Sequence, residues 1–175
     1  MILIGELLNS TRKKVRAALD ERDTAFVQDL ARRQAEAGVD YIDVNTGALV
    51  EREVEMMEWL IQTVREVTDN KLCVDSPNPD ALKLGLELAG LGTLINSISA
   101  EAERYNAVLP LVKEYEAPVI ALGMNEQGLP QTEDEGFAIL AQLIERLDRD
   151  GVPRERIFAD PLVRPVGADT NIPAV

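Results

Sequence analysis

Small polar side chains stand where six short apolar runs of this chain stop. In chain order these carboxylates, amides and hydroxyls are Asn9, Asp43, Asn45, Asp75, Asn96, Ser97, Asn125 and Asp160. A carboxylate accepts two parallel hydrogen bonds from a guanidine-like edge, and a neighbouring amide can both donate and accept. These residue types therefore suit a neutral, donor-rich heterocycle, such as the 2-amino-4-oxo pyrimidine half of a pterin.

The apolar runs predict the strands that would position these side chains. They cover residues 2–4, 41–42, 72–74, 94–95, 119–122 and 157–159, with a helical pattern between consecutive runs. This alternation predicts a β-α-β-α chain whose strands are all parallel. Because the carboxyl ends of parallel strands share one rim, where ligands bind, we expect the polar residues to gather there.

Other chemistries fit these residues less well. The chain has no histidine, which excludes Ser-His-Asp and Cys-His catalysis and histidine-based zinc sites. Asp43, Asp75 and Asp160 fall on the second, third and sixth runs, so we expect no metal site. No glycine-rich nest with a lysine is present to hold phosphate. A carboxylate pair for proton transfer and plain strand-end capping remain alternatives at this point.

Composition narrows the class further. The chain has 175 residues, 46% of them hydrophobic and 28% charged, which is typical of one soluble domain. Its net charge of −13 argues against binding nucleic acid. The single cysteine, Cys73, excludes an internal disulfide and lies within a strand run, so we interpret it as a core residue. No apolar stretch approaches the ~20 residues of a membrane span, and we expect a cytoplasmic protein that contacts no membrane.

Five helical patterns are marked by caps and apolar stripes. Ser10 or Thr11 could cap a short basic turn, and a helix is predicted over 24–37, closed by Gly38. Further helices are predicted over 50–67, from near Pro79 to about residue 89, and over 102–115, where Pro110 should kink or split the helix. A fifth begins at a capping box formed by Thr132 and Glu135. The residues expected to face inward are Val54, Met57, Ile61 and Val64 in the second helix, and Phe137, Leu140, Ile144 and Leu147 in the fifth.

Two architectures accommodate six parallel strands. A doubly wound sheet would need a G-x-G-x-x-G turn, and residues 5–9 (GELLN) do not supply one. A (β/α)8 TIM barrel better explains why every strand ends in a polar group. A full barrel takes about 250 residues, so we expect residues 1–175 to be one domain with about the first six β-α units, lacking its C-terminal third. Residues 167–175 should lead from strand six towards a further helix.

Five segments are distinctive: IGELLN (4–9), ARRQAEAGVDYIDVN (31–45), LCVDSPNP (72–79), INSI (95–98) and DPLV (160–163). They resemble the methyltetrahydrofolate:corrinoid methyltransferases of the pterin-binding barrel family, which is related to the folate domain of cobalamin-dependent methionine synthase. The resemblance runs over nearly the whole chain. It implies a pterin-type TIM barrel that holds the pterin through Asp75, Asn96 and Asp160.

The resemblance also implies the chemistry. Methyltetrahydrofolate would donate its methyl group to the Co(I) centre of a corrinoid (cobalamin) carried by a partner protein, and the enzyme would form a homodimer. Asn9, Asp43, Asn45, Ser97 and Asn125 are further candidates for substrate binding; many relatives carry an aspartate in place of Asn125. The family's asparagine that assists protonation of the methyl-bearing nitrogen would lie beyond Val175, so no catalytic residue is assigned.

Two alternatives remain. A dihydropteroate synthase-like enzyme would need an Asn-x-Thr-x-Asp-Ser-Phe first loop and an Asp-Pro-Gly segment, whereas this chain has NSTR (9–12) and DPLV (160–163). The chain could instead be a non-catalytic module that docks a pterin or a corrinoid. Transfer of a methyl group from methyltetrahydrofolate to cob(I)alamin would separate an enzyme from such a module.

Overall fold

A computed structural model describes residues 1–162 of the chain. Six strands form one sheet, ordered as in the sequence, and every neighbouring pair is parallel. The strands are β1 (Ile4–Asn9), β2 (Tyr41–Asn45), β3 (Lys71–Asp75), β4 (Leu94–Ser99), β5 (Val119–Leu122) and β6 (Ile157–Asp160). The predicted parallel β-α architecture is confirmed, because sequential parallel pairing requires a crossover between each pair of strands.

Helices fill these crossovers. They are α1 (Lys13–Glu21), α2 (Thr24–Glu36), α3 (Glu53–Arg65), α4 (Pro79–Ala89), α5 (Ala102–Glu114) and α6 (Glu133–Arg149). Short 3-10 turns at Val50–Arg52 and Arg154–Arg156 precede α3 and β6. Within residues 1–162, none of the helices is long and apolar enough to cross a membrane.

The sheet has two different faces. One packs against the helices in the main core, which includes Val44 and Val74. The other carries a smaller apolar cluster of Tyr41, Cys73 and Leu94, so the prediction that Cys73 is a core residue is confirmed. Since side chains alternate along a strand, the residues two positions further on from this cluster share its face. Beyond the apolar cluster the side chains on this face are polar, and the face ends at the rim formed by the carboxyl ends of the strands.

The first strand is shifted from its predicted position. The sequence predicts the first apolar run over residues 2–4, but β1 starts at Ile4 and continues to Asn9, so Gly5 lies inside the strand. The Gln34 side chain packs closely against Gly5, since an added Cβ would lie 2.6 Å from its Oε1 atom. The predicted cap at Ser10 or Thr11 is also wrong. The basic segment is the nine-residue helix α1, and Arg12 stands at its N-cap without a side-chain bond.

The helix boundaries agree more closely with the sequence. Asn78 caps α4 at the Asp80 amide, and Thr132 Oγ1 accepts a hydrogen bond from the Glu135 amide, so both predicted starts are confirmed. Pro110 does not split α5, which runs unbroken from residue 102 to 114. Its pyrrolidine ring removes one donor, but packing of the buried face keeps the helix together.

Two residues predicted to face inward do not. Phe137 on α6 is 66% exposed and Val54 on α3 lies at the surface, whereas Ile139 and Leu143 of α6 are buried. The buried face of α6 still includes the predicted Leu140 and Leu147, and Ile144 packs against the core, so Phe137 is the predicted residue of this helix that lies outside it. The predicted link over residues 167–175 lies outside the described residues.

Candidate functional site

The strand register places four of the predicted polar residues in one row. Asn9 pairs with Asn45, Asn45 with Asp75, and Asp75 with Asn96 across β1 to β4. Asp160 pairs with Leu122 at the ends of β6 and β5. Asn9, Asn45, Asp75 and Asp160 are the last residues of their strands, and Asn96 lies level with Asp75 within β4, so all five lie near one rim.

Asn45 joins this row into a hydrogen-bonded network. Its Nδ2 donates to Asp75 Oδ2 at 2.5 Å, while its Oδ1 accepts from Ser10 Oγ at 2.7 Å and from the Gly47 amide at 3.2 Å. Two donors on one side and a carboxylate on the other fix which way the amide points. Asn45 is buried and therefore orients the Asp75 carboxylate from below.

Asp43 lies deeper than the rim. It is only 1% exposed, and its Oδ2 accepts a hydrogen bond from Asn96 Nδ2 at 3.3 Å. Its Oδ1 has no hydrogen-bonding nitrogen or oxygen partner within residues 1–162, and Cys73 lies opposite it on β3. Burial, reinforced by the charge of Asp75, raises the pKa of Asp43 to about 7. At neutral pH a large fraction of this carboxyl group is therefore protonated.

Asp75 is only partly buried and retains access to solvent. Burial raises its pKa, and the Glu6 and Glu53 carboxylates act in the same direction. The hydrogen bond from Asn45 and the positive charge of Arg104 oppose that rise. Asp75 therefore combines a desolvated position with two groups that stabilise its ionised form, which suits a carboxylate that receives N–H donors from a ligand.

A cavity of about 260 Å³ opens at this rim. Its lining includes Asp75, Asn96, Ser97, Arg104 and Leu122. Asp160 is adjacent to it through its pairing with Leu122. A larger cavity of about 460 Å³ lies at the opposite, amino-terminal end of the strands, away from these residues.

The remaining predicted residues are used locally or lie elsewhere. Asn9 Oδ1 accepts from the Thr11 amide, and Asp160 Oδ1 accepts from the Leu162 amide at 2.8 Å. Asn125 closes a turn after β5 and lines a separate cavity formed by α6 and the loops after β4 and β5. Asp75, Asn96 and Ser97 are thus brought together, Asp160 lies beside them, and Asn125 stands apart. No group of three acidic or thiol side chains within residues 1–162 could hold a metal ion.

Sequence reasoning missed three residues that support the rim. Glu53, only 3% exposed, accepts a 2.5 Å hydrogen bond from Ser76 Oγ. Arg104 on α5 donates to main-chain carbonyls of Ser97 in β4 and of Ser76 and Pro77 in the loop after β3. Ser76 belongs to the segment DSPNP (75–79) and directly follows Asp75, so its position in the sequence could have identified it as a residue of the site. Glu53 and Arg104 resemble ordinary helix residues, and no local pattern distinguishes them.

Comparisons with known sequences agree with this geometry. The family model described as "Pterin binding enzyme" matches residues 5–171. The chain is 34% identical over 173 residues to a methylcorrinoid:tetrahydrofolate methyltransferase of Eubacterium limosum, covering 98% of this chain and 64% of that protein. It is 28% identical over 167 residues to methionine synthase of Mycobacterium leprae, covering 91% of this chain and 14% of that protein. The chain thus spans slightly less than two thirds of the first of these relatives.

Solved structures share the fold. A dihydropteroate synthase of Xanthomonas albilineans superposes with a TM-score of 0.71 at 23% identity, covering 91% of this chain and 58% of that one. A Yersinia pestis dihydropteroate synthase gives 0.66 at 19% identity and the same coverage. These neighbours confirm that the six parallel strands and the helices between them form part of a TIM-barrel fold. The match of the family model over residues 5–171 confirms the resemblance found in the sequence: the chain belongs to the pterin-binding enzyme family.

Proposed function

We propose that this protein transfers a methyl group between methyltetrahydrofolate and the cobalt of a corrinoid carried by a partner protein. The observation that carries the proposal is the 34% identity over 98% of the chain to a methylcorrinoid:tetrahydrofolate methyltransferase. The likeness to dihydropteroate synthases is lower, at 23% identity or less in the two structures compared, and it supports the fold alone.

The rim supplies groups that match a pterin. In the proposal Asp75 and Asp160 accept hydrogen bonds from the N–H groups of the pyrimidine half, and Asn96 both donates and accepts along the adjacent edge. The network below supports this assignment, since Asn45 holds one oxygen of Asp75 and Asp43 holds the amide of Asn96. Prearranged partners reduce the ordering that binding requires.

The reaction places few demands on protein side chains as nucleophiles. The corrinoid supplies Co(I), which attacks the methyl carbon with its electron pair, and the C–N bond breaks towards the pterin nitrogen. That nitrogen takes up a proton, and the product is tetrahydrofolate. The protein must orient the pterin and favour the protonated nitrogen. In the proposal Asp75, Asn96 and Asp160 perform the orientation.

The test is methyl transfer to free cob(I)alamin, followed by absorbance. The wild-type protein should convert cob(I)alamin to methylcobalamin when methyltetrahydrofolate is added. Asp75→Asn and Asp160→Asn should weaken this activity, whereas Asp148→Asn, at an exposed ion pair with Arg154, should not. Pterin binding without any transfer would instead indicate a docking module. Condensation of a pterin diphosphate with 4-aminobenzoate would indicate a dihydropteroate synthase.

The proposal also includes two partners. One is a corrinoid-carrying protein, and the other is a second copy of this chain in a homodimer. Sedimentation of the purified protein, alone and with a corrinoid protein, measures both associations. A monomer at micromolar concentration would contradict the homodimer without affecting the proposed reaction.

A further inference from the structure

Arg104 connects the loop that follows β3 to the carboxyl-terminal half of β4. From α5, its Nε donates to the Ser97 carbonyl at 2.8 Å, and its two terminal nitrogens donate to the carbonyls of Ser76 at 2.9 Å and Pro77 at 3.0 Å. One guanidinium group therefore makes three hydrogen bonds to main-chain oxygens of two separate segments, the loop after β3 and strand β4. Because guanidinium is planar with fixed donor directions, these bonds specify the distance and orientation between the two segments.

The positions of these carbonyls relate Arg104 to the ligand-facing residues. Ser76 directly follows Asp75, and Ser97 directly follows Asn96, the pair aligned in register across β3 and β4. A change in the spacing between the loop after β3 and strand β4 would therefore separate the Asp75 carboxylate from the Asn96 amide. Binding a rigid bicyclic ligand tolerates little such change, since a displacement of about 1 Å takes donors out of hydrogen-bond range.

Arg104 also affects the charge of the rim. Its guanidinium lines the same cavity as Asp75 and Asn96. The groups that act on the pKa of Asp75 are the carboxylates of Glu6 and Glu53, which raise it, and the Asn45 amide and Arg104, which lower it. The charge of Asp75 in turn raises the pKa of Asp43. Arg104 is the cation in this set, so removing its charge should raise the pKa of Asp75 further.

We propose that Arg104 is a positioning residue of the pterin site, which fixes the Asp75–Asn96 spacing and supplies the charge that balances Asp75. The inference rests on the proposed function for the identity of the ligand. Arg104 acts through the residues that contact the ligand, because its donors are directed to main-chain carbonyls. Lysine at this position would keep the charge but lose the planar set of donors, so the two contributions can be separated.

The chain offers a matched control in Arg65. This arginine donates to the carbonyls of Asn70 at 2.5 Å and Ala89 at 3.0 Å, joining α3 to the segment before β3 and to the end of α4. Like Arg104, it is partly buried and its pKa is lowered by burial. It lies at the amino-terminal end of the strands, opposite the rim. Arg65→Lys therefore removes a comparable set of hydrogen bonds without changing the site.

The first experiment compares tetrahydrofolate affinity with thermal stability in the full chain. Calorimetric titration should show that Arg104→Lys weakens tetrahydrofolate binding by about tenfold, the loss expected when a charged hydrogen-bonding group is misplaced. Arg65→Lys should lower the melting temperature but leave the affinity within about twofold of wild type. Unchanged affinity in Arg104→Lys, or an equal loss in Arg65→Lys, would overturn the positioning role.

The second experiment needs no ligand. The pKa of Asp75 is measured by carbon-detected NMR in wild type, Arg104→Lys and Arg104→Gln. Arg104→Gln should raise the pKa of Asp75, and Arg104→Lys should leave it near the wild-type value. An unshifted Asp75 in Arg104→Gln would overturn the charge role. If wild type binds no tetrahydrofolate, the proposed function is wrong, whereas this titration still decides whether Arg104 balances the charge of Asp75.

Discussion

Asn45 donates a 2.5 Å hydrogen bond from Nδ2 to the Oδ2 atom of Asp75, and the two residues are paired in register across β2 and β3. Ser10 and Gly47 donate to the other end of the same amide. A candidate ligand-binding carboxylate is thus held by a buried residue whose own orientation is fixed from behind. The most direct tests of the site concern these supporting contacts.

Asn45→Ala should weaken tetrahydrofolate binding as well as the fold. Loss of the amide removes a bond that lowers the pKa of Asp75, so the pKa rises and binding at acidic pH is lost at a higher pH than in wild type. It also leaves Ser10 and Gly47 without an acceptor, and the free energy of unfolding should fall by about 1–3 kcal/mol. Calorimetric titration and urea denaturation measure the two effects.

Asn70 provides the control for that prediction. Its side chain also bridges two segments, donating to the Val39 carbonyl at 2.8 Å, but at the opposite end of the sheet. Asn70→Ala should lower stability and leave pterin affinity unchanged. Equal affinity losses in the two variants would mean that Asn45 acts only through general stability.

Asp160→Asn should weaken pterin binding more than Asn125→Asp changes it. The first substitution replaces a carboxylate expected to face N–H groups with an amide that directs a donor at a donor, which costs about 1.5–3 kcal/mol of binding free energy. Asn125 lines a separate cavity, and its Oδ1 accepts from the Gln127 amide, a bond that an aspartate could also make. Affinities for methyltetrahydrofolate in the opposite order would contradict the assignment of Asp160.

Asp43 should make stability depend on pH. Its pKa is about 7 in the folded protein, above the ordinary value of 3.8, so the folded state binds more protons than the unfolded state between these values. The contribution of Asp43 to the free energy of unfolding is therefore fully present below about pH 4. It falls as the pH rises and is lost above about pH 7. Asp43→Asn removes this dependence.

Urea denaturation from pH 4 to pH 8 measures that change. Relative to wild type, the unfolding free energy of Asp43→Asn should rise by an amount on the order of 4 kcal/mol across the range. Asp29→Asn, on the exposed surface of α2, serves as the control and should follow the wild-type curve. A constant difference between Asp43→Asn and wild type would show that folding does not raise the pKa of Asp43.

Gly85→Ala should destabilise the support of β3. An added Cβ would lie 2.6 Å from Val74 Cγ1, too close for either side to stay in place. Alanine favours a helix over glycine by about 1 kcal/mol, but overpacking should outweigh that gain and cost about 1–3 kcal/mol in net unfolding free energy. Denaturant unfolding measures the loss.

Removing the opposing methyl groups tests the cause. In a double-mutant cycle, Val74→Ala should cost less in the Gly85→Ala background than in wild type, by about 1 kcal/mol or more. Additive effects would falsify the clash as the reason, and a Gly85→Ala protein as stable as wild type would show that α4 moves freely away from the sheet.

Local sequence signals determined the order and type of the main elements. Apolar runs ended by polar residues marked all six strands, Pro79 marked the start of α4, and Thr132 marked the start of α6. These signals are readable because capping and strand alternation involve residues close in the chain. The same regularity indicated that Asp75, Asn96 and Asp160 would share a rim.

The tertiary structure decided what no local pattern contains. Strand register brought Asn45 against Asp75, and packing on both sides of the sheet buried Asp43 and raised its pKa. Packing against the sheet decided which face of α6 is buried. Phe137 lies outside that face and is exposed. Arg104 donates to the carbonyls of Ser97 and Pro77 only because α5 lies beside β4 and the loop after β3. Hydrogen bonds and desolvation depend on distances between residues far apart in sequence, and folding alone sets those distances.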